Sequence, residues 1–339
     1  MKAFKLVFFF VIFSFPVLAQ SPQWAWTAGG SGYDVAQTCK VAPNGNVYVA
    51  GEFCGTMDLD PSTTANNITA IGPTDIYLAC YTPAGVLVWG FRIGGSGRER
   101  IFDIAFDAQG NVFTTGFFRG TTDFDPSASV ANLNDNTTQG YAQTWMGELF
   151  IAKYSPTGAY QWAVGIGGWS QYDMFNSLGV DGDGNVYAGG VFLDVIDADP
   201  SANVVTLNSG ANGKLILTKF SPTGQLVWAK NFGTPGTGGT NLDIRGLQVK
   251  GGNIYCAGFF TATADFDPSP GVASFTANGP YDAYVAKYDT AGNYVWAVPI
   301  SGNDYDDALD IRLDAGNNVY ITGFSYSSSV TYSPFVSST

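Results

Sequence analysis

Short apolar runs with alternating polar positions recur along the chain, and turns containing glycine or asparagine separate them. One block recurs as NVYVAGEF (46–53), NVFTTGFF (111–118), NVYAGGVF (185–192), NIYCAGFF (253–260) and NVYITGFS (318–325). Another aligns without a gap as DIYLACYTPAGVLVW (75–89), ELFIAKYSPTGAYQW (148–162), KLILTKFSPTGQLVW (214–228) and DAYVAKYDTAGNYVW (282–296). Alternation over short runs is typical of β-strands, and no long stretch shows the helical period of apolar residues. The pattern predicts an all-β chain built of internal repeats.

Each repeat unit divides into four predicted strands. A first strand such as FDIAFD (102–107) meets the tight turn AQGN (108–111), which indicates a hairpin, and the NVFTTGFF strand follows. After a D-x-D-P segment come a third strand, a second tight turn and a fourth strand. The fourth strand contains a marker tryptophan, and the units start near Trp24, Trp89, Trp162, Trp228 and Trp296. Because four antiparallel strands repeated in series are blades, we predict a β-propeller of four-stranded antiparallel blades.

About five repeat units are visible, four complete and one partial. The opening WAWTAGG (24–30) matches a fourth strand, whereas the last unit lacks a recognisable third strand. Two interpretations stay open: a five-bladed ring with an irregular last blade, or a fragment of a longer array, which is favoured. In both, the marker tryptophans are predicted to pack between blades, because an isolated blade cannot bury its own faces.

Three blocks of the repeat together resemble a known family. N-V-Y-x-x-G-x-F, D-x-D-P and A-K-Y-x-P-x-G-x-x-x-W are similar to the SBBP repeat, a β-propeller repeat of secreted bacterial proteins that is common in Bacteroidetes. The resemblance covers nearly all of residues 24–339. It implies a propeller and export, but it brings no catalytic residues with it. The family is named for seven blades, which is more than the units of this chain.

The N-terminal segment predicts export. It reads MKAFKLVFFFVIFSFPVLAQ, with two lysines before an apolar run from Leu6 to Leu18. The run is too short for a membrane span, and small residues precede Gln20, so residues 1–19 are predicted to be a secretory signal peptide. Residues 20–339 then form the repeat domain. We expect a secreted protein, extracellular or at the outer cell surface, without a transmembrane segment in the mature chain.

The composition excludes several classes of function. The net charge is −13, and loss of Lys2 and Lys5 with the signal peptide leaves 13 basic against 28 acidic residues. That balance argues against nucleic acid, because phosphate binding needs clustered Lys and Arg. The chain has no histidine, which removes Ser-His-Asp catalysis and His-ligated zinc. In an oxidising compartment one disulfide is feasible among Cys39, Cys54 and Cys80, with the pair undecided.

Paired aspartates recur in the D-x-D-P segments and face the same side as the loops between blades. The eight residues are Asp58 and Asp60, Asp123 and Asp125, Asp197 and Asp199, and Asp265 and Asp267. A motif present four times is a poor candidate for a catalytic centre, which is needed once. Asp followed by Pro favours a rigid polar turn, in which the carboxylate bonds local backbone N–H groups. The alternative is a Ca²⁺ site, for which other oxygens must join the two carboxylates.

Residues that break the repeat are the candidates for ligand binding. The long excursion of unit two carries Tyr141 and Trp145, and the next loop carries Trp169 and Tyr172. Aromatics near polar groups suit stacking on a sugar ring or a protein partner. The irregular charged cluster around Glu99 is interpreted as a solvated loop. We therefore predict a non-enzymatic binding or scaffold module for a glycan or protein partner at the bacterial surface, without a required cofactor.

An alternative function is a secreted carbohydrate-active enzyme, a glycoside hydrolase or lyase. Such an enzyme would use an aspartate pair on the face of the D-x-D-P segments. Turnover of a polysaccharide, abolished by one Asp→Asn change, would distinguish it from a binding module.

Overall fold

The computed structural model describes residues 32–135, 147–168, 173–233 and 242–332, together with Ala25, Thr27, Gly29 and Gly30. Every regular element in these ranges is a β-strand, which confirms the all-β prediction. Within the same ranges, no helix has the length and apolar character needed to cross a membrane.

The strands are given in chain order. They are β1 (Asp34–Val41), β2 (Val47–Phe53), β3 (Thr56–Asp58), β4 (Asn67–Thr69), β5 (Asp75–Tyr81), β6 (Leu87–Gly95), β7 (Arg100–Phe106), β8 (Val112–Phe118), β9 (Thr121–Asp123), β10 (Asn132–Asn134), β11 (Glu148–Tyr154), β12 (Tyr160–Gly168), β13 (Met174–Val180), β14 (Val186–Asp197), β15 (Thr206–Phe220), β16 (Leu226–Phe232), β17 (Asp243–Lys250), β18 (Asn253–Phe260), β19 (Thr263–Asp265), β20 (Ser274–Thr276), β21 (Asp282–Asp289), β22 (Tyr294–Ser301), β23 (Asp306–Leu313), β24 (Val319–Ser325) and β25 (Thr331–Tyr332).

The strands form four antiparallel units of four and a final hairpin. The units are β1-β2-β5-β6, β7-β8-β11-β12, β13-β14-β15-β16 and β17-β18-β21-β22, and unit 5 consists of β23-β24. Each first strand contacts the first strand of the next unit, from β1 to β7, β13, β17 and β23. The first strands are therefore the innermost ones, and the fourth strands lie outside.

The D-x-D-P segments lie on the same face as the connections between units, as the sequence predicts. In units 1, 2 and 4 each segment belongs to a short hairpin, β3-β4, β9-β10 or β19-β20, and in unit 3 β14 and β15 continue into it. The end of the preceding fourth strand pairs with this hairpin, since Gly94 pairs with Asp123 and Gly167 with Asp197. This face is called the loop face below.

The hydrophobic core lies between neighbouring units. Separate clusters of buried side chains join units 1 and 2, units 2 and 3, units 3 and 4, and units 4 and 5. Tyr48 and Leu78 of unit 1, for example, share a cluster with Ile104 and Phe150 of unit 2. Each unit thus buries its faces against its neighbours, as repeat architectures require.

The marker tryptophans join one unit to the next, which confirms their predicted packing. The indole N–H of Trp89 donates to the carbonyl of Pro156 at 3.0 Å, in the tight turn of unit 2. Gly158 in that turn has φ +80°, and a Cβ there would lie 3.0 Å from the Trp89 ring, so glycine meets both requirements. Trp162 and Trp228 make the equivalent bond to the next unit. Trp24 lies outside the described residues.

Unit 5 differs from the others in its outer part. Its second strand, β24, has exposed apolar side chains, including Tyr320 (57% exposed) and Phe324 (36% exposed). Within the described residues no third strand pairs with β24. The chain instead continues to β25, which pairs with β22 as β9 pairs with β6.

Candidate functional site

Every first strand carries a β-bulge at the same point near its start. The register shifts at these five residues: Gln37, Phe102, Asn176, Arg245 and Leu309. A bulge adds one residue to a strand and changes the direction of its side chain. All five bulge residues line one cavity of about 530 Å³, which also contains residues of each first strand. The cavity lies near the loop face, because the first strands start there.

The cavity positions vary between units, whereas the packing positions do not. The five bulge residues are an amide, a phenyl ring, another amide, a guanidinium and an aliphatic side chain. Two residues further along, the side chain is aliphatic and buried in four units: Ile104, Leu178, Leu247 and Ile311. The repeat therefore fixes the residues that hold the units together and leaves the cavity free to differ.

Charged side chains of both signs face each other in the cavity. Lys40 Nζ lies 2.6 Å from Asp103 Oδ1, and Leu178 N donates to the other oxygen of Asp103 at 3.0 Å. Arg312 Nη1 lies 2.7 Å from Asp310 Oδ1. Both ion pairs lie on the innermost strands, so the cavity wall is polar but its charges are locally balanced.

Asp243 is the most buried carboxylate of the cavity. The Asn176 amide donates to both of its oxygens, at 2.8 and 2.7 Å. Arg245 Nε lies 3.6 Å from Asp243 and 3.4 Å from Asp307, so one guanidinium serves two acids. Burial raises the pKa of Asp243 to about 6, although the charge of Arg245 and the Asn176 hydrogen bonds act in the opposite direction.

The D-x-D-P segments form hydrogen-bonded turns. Asp123 Oδ1 accepts from Asp125 N at 3.0 Å and from Ala131 N at 2.9 Å, which closes the excursion. Asp125 Oδ1 accepts from Ser127 N at 2.9 Å. The same three bonds recur around Asp58, Asp197 and Asp265. The geometry is that of successive Asx turns, as the turn interpretation requires.

The residue between the two aspartates anchors each turn in the core. Leu59, Phe124, Ala198 and Phe266 occupy this position, and all are fully buried. In units 1, 2 and 4 a tyrosine at or next to the end of the third strand donates its hydroxyl proton to the carbonyl of this residue, at 2.9 to 3.0 Å. Unit 3 has Phe220 in place of that tyrosine. The D-x-D-P turn and the A-K-Y block therefore act as one structural element.

The predicted calcium ligands lie as one pair in each of four units. They are Asp58 and Asp60, Asp123 and Asp125, Asp197 and Asp199, and Asp265 and Asp267. In the part of the chain that the structure describes, no group of three or more His, Cys, Asp or Glu side chains is arranged to hold a metal ion. Calcium binding stays a prediction.

The interpretation of Glu99 as part of a solvated loop is wrong. Its side chain is completely buried, and Thr122 Oγ1 donates to Oε1 at 2.7 Å. Burial raises the pKa of Glu99 to about 8, and the nearby charge of Asp75 adds to this effect. The sequence does not indicate this burial, because Arg98 and Arg100 flank Glu99 and suggest an exposed charged cluster.

The remaining predicted residues are the aromatics that break the repeat and three cysteines. Tyr141, Trp145, Trp169 and Tyr172 lie outside the described residues, so their binding role stays a prediction. Cys39, Cys54 and Cys80 are free thiols, and the structure contains no disulfide among them.

The cavity residues were missed by reading the sequence. An alignment of the first strands contains the signal that would have found them. In AQTC (36–39), FNSL (175–178) and IRGL (244–247) the second residue is polar and differs between units. Only a bulge, which cannot be seen in the pattern, turns that residue towards the cavity.

Comparison with known proteins shows two distant relatives, and no family model matches the chain. A WD repeat-containing protein of Acanthamoeba polyphaga mimivirus is 23% identical over 357 residues, which cover 89% of this chain and 25% of that protein. The regulatory protein FlaEY of Caulobacter vibrioides is 25% identical over 297 residues, which cover 82% of this chain and 28% of that protein. The chain thus spans about a quarter of the length of the curated relatives it matches. The likeness to a WD repeat protein supports a fold of the repeat β-propeller type.

Proposed function

We propose that this chain is an exported, non-enzymatic β-propeller that acts as a binding or scaffold module at the bacterial surface, with its ligand site in the central cavity. In this proposal the five units are blades around that cavity, the chain is of the SBBP type, and its ligand is a glycan or protein partner. The observation that carries it is the set of five bulged positions, which present five different side chains to one cavity of about 530 Å³.

The contrast between fixed and varied positions supports binding. The Asx turns, the marker tryptophans and the buried aliphatic residues recur in most units, and each has a packing or hydrogen-bonding role. The bulge residues have no common packing role, since Gln37 and Arg245 are exposed and Leu309 is 43% exposed. Varied side chains on a rigid scaffold are the usual arrangement of a recognition surface.

The proposal is tested by blocking the cavity. Gln37 is exposed at its bulge, so Gln37→Trp should fill the cavity and remove only the exposed 3.3 Å hydrogen bond from Arg100, leaving the buried packing between units unchanged. Val227 lies on the outer strand β16, is 52% exposed and does not line the cavity, so Val227→Trp adds the same side chain outside the site. The purified chain and both variants are applied to an array of bacterial surface oligosaccharides and to a displayed random-peptide library. We expect ligands that bind the wild type and the Val227 variant but not the Gln37 variant; binders unaffected by Gln37→Trp would place the site elsewhere.

One observation favours the alternative of a carbohydrate-active enzyme. Asp243 has a pKa raised to about 6 by burial, and a carboxyl group of that kind can act as a general acid. Against this, both of its oxygens already accept from Asn176, and Asp103 is engaged by Lys40 and by a backbone amide. Release of reducing sugar from a bound polysaccharide, lost in Asp243→Asn, would establish the enzyme instead.

A further inference from the structure

We infer that the central cavity binds a short, neutral saccharide. This inference rests on the proposed binding function of the cavity and names the class of its ligand. Four properties of the wall carry it: balanced charge, planar hydrogen-bonding groups, an apolar patch and size.

The charge of the cavity wall is balanced. It contains three acidic side chains, Asp103, Asp243 and Asp310, and three basic ones, Lys40, Arg245 and Arg312. The whole chain has a net charge of −13, so this balance is a local property of the cavity. Because every cation lies beside an acid, an ionic ligand would find no uncompensated partner of opposite sign. A neutral ligand needs no charged partner, so the balance of charge does not weaken its binding.

The cavity offers planar groups that still have hydrogen-bonding capacity. Gln37 accepts one bond from Arg100 at 3.3 Å, and within the described residues its NH₂ group donates to no partner. Arg245 and Arg312 have side chains that are 38% and 55% exposed, and a guanidinium has five N–H donors. Each carboxylate accepts at two oxygens. Neighbouring hydroxyls of a sugar both donate and accept, so they match such a mixture of donors and acceptors.

An apolar patch lies among these polar groups. Phe102 is half-buried, with its ring centre 6.0 Å from that of Phe117 and 5.4 Å from the Arg100 guanidinium carbon. Met174 and Leu309 line the same cavity. The C–H face of a sugar ring is apolar and packs on aromatic or aliphatic side chains, whereas its edge carries the hydroxyls. The wall therefore presents both kinds of contact that a sugar ring needs.

The size of the cavity sets the length of the ligand. A volume of about 530 Å³ lies within the range of small-molecule sites, which is roughly 300 to 1,000 Å³. That volume has room for a few sugar rings and excludes a folded protein domain. A longer polysaccharide would bind through the sugar rings at one end of its chain.

The inference is tested by calorimetric titration of the purified chain with cellobiose, maltotriose and N,N′-diacetylchitobiose. Digalacturonic acid and triglycine serve as an anionic and a zwitterionic comparison. We expect at least one neutral saccharide to bind and neither comparison to do so. Phe102→Ala should weaken that binding about tenfold or more, because it removes the aromatic contact. Gln37→Trp should abolish it, and Val227→Trp should leave it unchanged; melting curves of all three variants check that they are folded.

The outcomes separate this inference from the proposed function. Binding of a neutral saccharide that Gln37→Trp abolishes supports both. If only digalacturonic acid or triglycine binds, and Gln37→Trp abolishes that binding, the saccharide inference is overturned while the cavity remains a binding site. If a saccharide binds equally well to the Gln37 and Phe102 variants, its site lies elsewhere and both are wrong. If no compound of either class binds the folded wild type, the saccharide inference is wrong.

Discussion

Two substitutions of Asp123 distinguish a turn from a metal site. Its Oδ1 accepts two backbone N–H groups, from Asp125 at 3.0 Å and Ala131 at 2.9 Å. Asparagine keeps an oxygen at this place, whereas alanine removes it and leaves both part-buried amides without their acceptor. Hydrogen bonds to charged groups contribute about 1.5 to 3 kcal/mol each and neutral ones about 1 kcal/mol. Because the two bonds are only part-buried and share one oxygen, we expect less than their simple sum: Asp123→Ala should lower the free energy of unfolding by about 2 to 4 kcal/mol and Asp123→Asn by about 1 kcal/mol.

The assay is urea denaturation followed by tryptophan fluorescence, in EDTA and then over a calcium titration. Asp183→Ala is the control, because Asp183 is exposed in a tight turn and its carboxylate accepts no hydrogen bond within the described residues. It should leave stability unchanged. A metal bound only to the folded state at 100 times its Kd would add about 2.7 kcal/mol. If asparagine costs as much as alanine, and only when calcium is present, Asp123 is a metal ligand and the reasoning from the turn is refuted.

Three further predictions concern buried or half-buried side chains. Phe124→Ala should destabilise the chain by about 3 to 5 kcal/mol and Phe124→Leu by much less, since unit 1 has Leu59 there; equal losses in urea denaturation would contradict this. Trp89→Phe keeps a ring but removes the 3.0 Å donor to the Pro156 carbonyl, so the same assay should show a loss of about 1 kcal/mol or more; no loss would contradict this. The raised pKa of Glu99, about 8, means that the folded state keeps a proton which the unfolded state releases near its ordinary pKa. Stability should therefore fall as pH rises towards 8, and Glu99→Gln should reduce that fall in melts at about pH 5 and pH 8.5; an unchanged fall would mean that Glu99 does not titrate in this range.

Most of the architecture could be predicted from the sequence, because the same pattern of apolar and turn residues occurs in five repeat units. The first and second strands of every unit, the tight turns and the position of Trp89 between units all follow from apolar alternation and turn residues. The segment DGDGN (181–185) is the corresponding tight turn of unit 3, in which Asp181 Oδ1 accepts from Asp183 N and Asn185 N.

The candidate site was not predictable in the same way. A bulge adds one residue to a strand, but it leaves no mark in the alternation of apolar and polar residues. Asn176 and Arg245 therefore look like ordinary strand residues in the sequence. Glu99 was misjudged for a related reason. Its burial depends on Thr122 of a distant hairpin and on the packing of two units, and neither is visible in the residues beside it in the sequence.

The D-x-D-P aspartates and the bulge residues of the cavity differ in how the side chain relates to the repeated backbone. The D-x-D-P carboxylates recur because each unit must end the same excursion, and their oxygens meet backbone amides of their own turn. A side chain that recurs in this way is accounted for by the fold. The cavity gives the opposite case, since its bulge positions share one backbone geometry and have no side chain in common. Where the backbone repeats and the side chain does not, packing imposes no requirement on the side chain, and a varied set of side chains on a fixed scaffold is what the proposed binding function needs.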